Sequence, residues 1–128
     1  MALSERVKGL AHIGIRVHDL ARSRAFYERL GFTFVWGPFG PEQVCGLTHP
    51  SGLEVNFIVN APTGDAPNVL MDIADKHPGF THVALKIDDV TATRADLQAA
   101  GIAVSGTRGE VALFVRDPDG NVVELASD

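Results

Sequence analysis

The sequence predicts an α+β fold built from two tandem βαβββ modules that form a cupped mixed β-sheet. Three observations predict it: one segment occurs twice, each copy carries start and stop signals for a helix, and each copy ends in a tight hairpin turn. Ala11–Phe32 reads AHIGIRVHDLARSRAFYERLGF and Thr81–Ile102 reads THVALKIDDVTATRADLQAAGI. The two align without a gap at one constant offset, from Ala11 on Thr81 to Phe32 on Ile102. A repeat of this length marks one supersecondary unit used twice, because a single copy cannot bury its own apolar face.

Within the first copy, His12–Val17 alternates as a half-buried strand does. Asp19 is placed to accept from the free N–H groups that open a helix. Leu20, Phe26, Tyr27 and Leu30 supply the apolar stripe, and Gly31 tolerates the left-handed backbone that ends it. In the second copy Asp89 caps, Val90, Leu97 and Ala100 make the stripe, and Gly101 stops the helix. Strands are expected at Phe32–Trp36, Val44–Thr48 and Leu53–Val59, and again at Ile102–Val104, Val111–Val115 and Val122–Leu125. The turns His49-Pro50-Ser51-Gly52 and Asp117-Pro118-Asp119-Gly120 mark the hairpins. The reading is one domain over 1–128, with module 1 at about 8–60, a linker at 61–79 and module 2 at about 80–126. The linker opens on Pro62, Gly64 and Pro67, with one short helix expected around Val69–Asp75, and serves as a lid or as a tether.

Composition narrows the function classes. Of 128 residues, 45% are hydrophobic and 21% charged, the balance of a folded globular chain. A formal net charge of −5 argues against general nucleic-acid binding, which needs basic surface to neutralise phosphates. No run approaches the ~20 apolar residues that span a bilayer, and Met1–Lys8 does not read as a secretory signal. The lone Cys45 cannot form an internal disulfide. A cytoplasmic protein with no membrane or nucleic-acid partner is expected.

The chemistry-bearing residues follow the repeat. His82 stands at the repeat offset from His12, and Glu124 stands at the same offset from Glu54. Both glutamates interrupt apolar strands, in Leu53-Glu54-Val55 and Val123-Glu124-Leu125, where a carboxylate on an inner face is costly unless paired or metal-bound. Two imidazoles and two carboxylates brought together by pseudo-symmetry would suit Zn, Ni, Co, Mn or Fe(II), leaving positions for water or substrate. The competing structural reading is a metal-free polar network left by duplication. His18, His49 and His77 are read as surface histidines. Trp36 and Phe39, flanking Gly37-Pro38, can wall a substrate pocket or pack in the core.

With HIGIRVHDLARSRAFYERLGF, GLEVNF, FTHVALKIDDV and DPDGNVVEL on the page, the chain resembles the vicinal oxygen chelate superfamily from about Gly9 to Ala126. That superfamily includes glyoxalase I, extradiol dioxygenases, fosfomycin-resistance enzymes and bleomycin-binding proteins. In ligand pattern the resemblance is to glyoxalase I. It implies a divalent metal held by His12, Glu54, His82 and Glu124, with nickel, cobalt or zinc preferred over manganese or Fe(II). It implies a lyase or isomerase that moves a proton through an enediolate, with Glu124 as first choice of base and Glu54 as its symmetric partner. Arg16 falls where glyoxalase I meets the glutathione carboxylate, so glutathione or another thiol is the implied co-substrate, with Arg16 and Trp36 at the substrate. Ile58 stands where glyoxalase I carries an asparagine. A homodimer is also implied. An Fe(II) dioxygenase and a small-molecule-binding resistance protein are the alternatives.

Overall fold

The computed structural model describes all 128 residues. They form two compact units, Met1–Pro62 and Thr63–Asp128. Each unit is a four-stranded mixed sheet with one helix, so the α+β class and the paired βαβββ modules hold. After a short 3₁₀ turn at Leu3–Glu5, unit 1 comprises β1 (Ile13–Arg16), α1 (Leu20–Arg29), β2 (Thr33–Phe39), β3 (Val44–Thr48) and β4 (Glu54–Ile58). Unit 2 comprises β5 (His82–Lys86), α2 (Val90–Ala99), β6 (Gly106–Arg108), β7 (Ala112–Arg116) and β8 (Val122–Ala126). The strand orders are β1-β4-β3-β2 and β5-β8-β7-β6, with one parallel pair in each, β1·β4 and β5·β8.

Both helices begin where the aspartates stand. Asp19 accepts from Arg22 N at 3.1 Å and Asp89 from Ala92 N at 2.9 Å. Both end at a glycine with positive φ, Gly31 at 99° and Gly101 at 73°. In unit 1 the Val55 and Phe57 side of β4 carries the core: Tyr27 of α1 lies 5.4 Å from Phe57, ring to ring, and also meets Phe26 and Phe32 edge-on. Strand alternation then leaves Glu54, Asn56 and Ile58 on the face turned away from α1. In unit 2, Leu97 of α2 and the buried Leu113, Val115, Val123 and Leu125 form the corresponding core.

Two sequence expectations need correction. No strand forms at Ile102–Val104; the second strand of module 2 is β6 at Gly106–Arg108, paired antiparallel with β7. Ile102 instead closes the helix, its N–H donating to Leu97 O at 2.9 Å. No helix forms at Val69–Asp75 either. Asn68 Oδ1 accepts from Leu70 N at 3.0 Å and Met71 N at 3.1 Å, a side-chain bond that competes with helix propagation.

The segment around Asn68 is tied into unit 2. Asn68 Nδ2 donates to Gly120 O at 3.3 Å, and Arg116 grips Asp72 through Nη1 at 2.6 Å and Nη2 at 2.9 Å. That hydrogen-bonded guanidinium holds the Asp72 carboxyl below its ordinary value. A depressed carboxylate stabilises above its unfolded pKa, and the contribution disappears as pH falls through the lower folded value. Amide exchange around Asn68–Asp72 should therefore quicken below about pH 4, ahead of the β7–β8 core, while Asp72→Asn removes this pH dependence.

Candidate metal centre

β1 and β4 run side by side in unit 1, with Ile13 opposite Val55 and Gly14 opposite Asn56. His12 and Glu54 each stand one residue before this ladder, so both sit at the same edge of the sheet. His12 Nδ1 is 3.9 Å from Glu54 Oε2. In unit 2 the parallel pair β5·β8 brings His82 Nε2 to 3.2 Å from Glu124 Oε1. Two donors bound to one zinc ion at ~2.1 Å with tetrahedral angles stand ~3.4 Å apart. The spacing in unit 2 is close to that value, and the spacing in unit 1 is wider than it.

The two carboxylates live in different surroundings. The Glu54 side chain is 32% exposed, whereas that of Glu124 is 7% exposed. Both Glu124 oxygens are engaged. Oε1 faces His82, and Oε2 accepts from Arg108 Nη2 at 2.7 Å and Nε at 3.3 Å. Arg108 is anchored in turn by Asp128, to which Nη1 and Nη2 donate at 2.8 and 2.9 Å. Asp128 first, then Glu124, raises the Arg108 pKa further, so the guanidinium stays charged. Arg108 is a partner of Glu124 that sequence reading missed. It lies in a stretch read as loop, and only the β6·β7 pairing, with Arg108 opposite Ala112, carries it beside Glu124.

Arg16 is on β1, two residues beyond Gly14 on the same face as His12. Its Nε donates to Asn60 Oδ1 at 2.8 Å, and Asn60 Nδ2 donates to Glu42 at 2.5 Å. Trp36 lies across Gly46 of β3. A Cβ built on Gly46 would run into the Trp36 indole nitrogen, so this position is a seat for the ring. Gly46 pairs with Asn56, which places Trp36 on the face that carries Glu54. Phe39 stacks on Trp36 with ring centroids 6.2 Å apart. Gly46→Ala should displace this indole at a cost of about 1–3 kcal/mol. Trp36 is the sole tryptophan, so a changed emission spectrum checks the displacement.

His49 corrects the surface reading. It is half-buried, its Nε2 donates to the Leu30 carbonyl at 3.1 Å at the end of α1, and its Nδ1 accepts from Ser51 N at 3.0 Å. The imidazole thus satisfies a carbonyl that the helix terminus leaves open. Its ring also lies 5.1 Å from Phe32. His18 sits beside the Ala61 carbonyl at 3.2 Å, and His77 is exposed.

The two sheets do not superpose at one offset. In unit 1, Gly14 faces Asn56; in unit 2, Ala84 faces Glu124. Gly14 and Ala84 keep the repeat offset, but Asn56 and Glu124 stand two positions closer than that offset requires. The same reduced offset relates the antiparallel partners, Gly46↔Asn56 and Phe114↔Glu124. It also relates the turn bonds His49 N→Leu53 O and Asp117 N→Asn121 O, both 2.9 Å. Module 2 is therefore two residues shorter between helix and hairpin. By hydrogen-bond register the counterpart of Glu124 is Asn56, and the counterpart of Glu54 is Val122.

No helix is long and apolar enough to cross a membrane. No group of three or more His, Cys, Asp or Glu side chains comes together in metal-binding range, so the four sequence-predicted ligands stand as two separate pairs.

These features define a small duplicated α+β protein with one imidazole–carboxylate pair per module. Residues 9–125 match the family model of the glyoxalase/bleomycin resistance protein/dioxygenase superfamily, and the chain belongs to that superfamily. No curated protein matches the chain. Among solved structures it is similar to SMU.1112c, at 28% identity and TM-score 0.75, covering 94% of this chain and 99% of that one. It is also similar to a glyoxalase family protein from Enterococcus faecalis, at 24% identity and TM-score 0.73, covering 93% and 97%. A third similar structure is a mutant of the fosfomycin resistance protein FosX of Listeria monocytogenes, complexed with Mn(II) and 1S,2S-dihydroxypropylphosphonic acid. It shares 19% identity at TM-score 0.71, covering 94% and 92%.

Proposed function

We propose that the chain is a metal-dependent enzyme acting on a small molecule with vicinal oxygens, and that it moves a proton between adjacent carbons as a glyoxalase I-like lyase or isomerase. The observation that supports this reading is that each module sets one imidazole beside one carboxylate, 3.9 Å apart in the first and 3.2 Å in the second. Catalytic metal sites use at least three protein ligands with an open position, so the reading needs both pairs. By the resemblance, His12, Glu54, His82 and Glu124 would hold the ion. When bound, the ion would supply Lewis acidity toward the paired substrate oxygens.

The remaining work falls to side chains. A proton shuttle must be able to approach and leave the reacting carbon. Between the two candidate bases, Glu54 has that freedom at the sheet edge, whereas Glu124 is held by His82 and Arg108. Arg16 would pair with an anionic group of the substrate, such as the carboxylate of glutathione or another thiol. Trp36 would wall the apolar side. A homodimer is part of the proposal.

One observation favours a second reading. Asn56, not a carboxylate, is the register counterpart of Glu124, and a two-histidine, one-carboxylate centre suits Fe(II) oxygenase chemistry. Protein loaded separately with nickel, cobalt, zinc, manganese or Fe(II) discriminates the readings when given methylglyoxal with glutathione and other thiols, or catechols with O₂. The lyase reading expects isomerisation with at least one metal–thiol pair, and a kcat lowered about 10²–10⁴-fold by Glu54→Gln. O₂ uptake confined to Fe(II) protein would establish the oxygenase, and absence of all turnover would sink both.

A further inference from the structure

We infer that Arg108 is a recognition site for a small oxyanion, a carboxylate or a phosphate, and that the Asp128 side chain occupies this site in the free protein. Every group involved lies in unit 2, and the inference needs no metal. The Arg108 guanidinium meets two different carboxylates along two of its edges. Its Nε–Nη2 edge donates to Glu124 Oε2 at 3.3 and 2.7 Å, and the Glu124 side chain is buried. Its Nη1–Nη2 edge donates to Asp128 Oδ2 and Oδ1 at 2.8 and 2.9 Å, a paired fork. Asp128 stands two residues beyond the end of β8, outside the strand ladder, and its side chain is 52% exposed. The inner partner is fixed by burial. The outer partner is exchangeable, because an exposed ion pair adds little net stability.

A second cation acts on the same point. Lys86 of β5 pairs with Ala126 in the β5·β8 ladder. The Arg108 bonds, and more weakly the charge of Lys86, hold the Asp128 carboxyl below its ordinary value. The place taken by the Asp128 oxygens is therefore one that favours negative charge. Glu124 does not use up the outward fork: it takes the other edge and sets the fork's direction. A guanidinium already clamped on one side loses little further freedom when it binds an oxyanion on the other. Its planar pair of N–H groups matches two oxygens of a carboxylate or a phosphate, which a point charge such as lysine does not. An external oxyanion in place of Asp128 would stand across the guanidinium from Glu124, whose other oxygen faces His82 at 3.2 Å. The site thus adjoins the imidazole–carboxylate pair of module 2. Asp128 acts as an internal competitor, lowering the apparent affinity by the fraction of molecules in which it is seated.

Titration of the full chain with acetate and, separately, with inorganic phosphate at constant ionic strength tests this, followed by NMR of the arginine Nε–H groups. A saturable shift is expected at Arg108 with at least one of the two anions. Tighter binding of acetate would name a carboxylate ligand, and tighter binding of phosphate a phosphate ester. Asp128→Asn keeps the shape, removes the competing charge and should tighten binding about two- to fivefold, the worth of an exposed ion pair. Arg108→Lys keeps the positive charge, loses the fork and should weaken binding about tenfold or more. Because Arg108→Lys also disturbs the buried Glu124, a thermal melt accompanies it. Asp128→Asn changes an exposed side chain and decides the matter independently. The inference is overturned by the absence of a saturable shift at millimolar anion in both wild type and Asp128→Asn. Equal affinities in those two proteins would overturn it as well, since Asp128 would not then occupy the site, and so would undiminished affinity in a folded Arg108→Lys. None of these outcomes bears on the metal reading above, which metal uptake tests.

Discussion

If the proposed metal-dependent function holds, Glu124→Gln is expected to lower turnover by about 10³-fold or more and to weaken metal binding, while the fold stays intact. The carboxylate is almost wholly enclosed, with Oε1 3.2 Å from His82 Nε2 and Oε2 2.7 Å from Arg108 Nη2. A glutamine of nearly the same shape removes the negative charge that would bind the ion and must turn an NH₂ group toward either a cation or the imidazole. Loss of a ligand removes the Lewis-acid contribution, worth several kcal/mol. A barrier higher by about 1.4 kcal/mol already slows a reaction tenfold. Arg108 keeps its paired bonds to Asp128, so the melting temperature should change far less than the activity. Metal content by mass spectrometry and kcat/KM, measured beside a thermal melt, check the three parts. Unchanged metal content would show that Glu124 serves the Arg108 ion pair alone.

Phe57→Ala should destabilise module 1 by about 3–5 kcal/mol, the usual cost of removing a buried phenylalanine with incomplete collapse of the cavity. Phe57 has no exposed surface and packs on the fully enclosed Tyr27. It also holds β4 in place, since Glu54 and Asn56 lie on the opposite face of that strand. A loss of this size is a large share of the roughly 5–15 kcal/mol typical of a whole domain and corresponds to a fall in melting temperature of about 10 °C or more. Metal affinity should fall with it, because the strand carrying the module 1 donors loses its support. Thermal unfolding by circular dichroism checks the first effect and calorimetric metal titration the second.

Much of the fold was legible because its signals are local. Asp19, Asp89, Gly31 and Gly101 start and stop the helices where propensity and sterics say they should, and the Pro-x-Gly turns lie between the strands they were read to join. The errors arose where local and non-local terms compete. Ile102–Val104 has strand-like side chains but no partner backbone, so pairing falls to the Gly106–Arg108 stretch, whose composition carries no strand signal. The Asn68 side chain captures the N–H groups that a helix at Val69–Asp75 would need.

The candidate site was legible to the level of its elements but not of its register. The repeat places His12 beside Glu54 and His82 beside Glu124, and the structure brings each of those pairs together. Gly52 and Gly120 stand two positions closer than the repeat offset, which already aligns Asn56 with Glu124. Glu54 and Glu124 share the repeat spacing of the histidines, whereas the strand register follows the turns. Arg108 could not be foreseen, because its role comes from a strand pairing across a segment read as loop.

The claim that both modules furnish donors to one ion is tested most directly by the stoichiometry of metal binding in His12→Ala and His82→Ala. Wild-type protein should bind one divalent ion per chain, and each substitution alone should abolish that binding. Retention of a full equivalent at wild-type affinity by either variant would contradict the account, since a single module would then be holding the metal by itself.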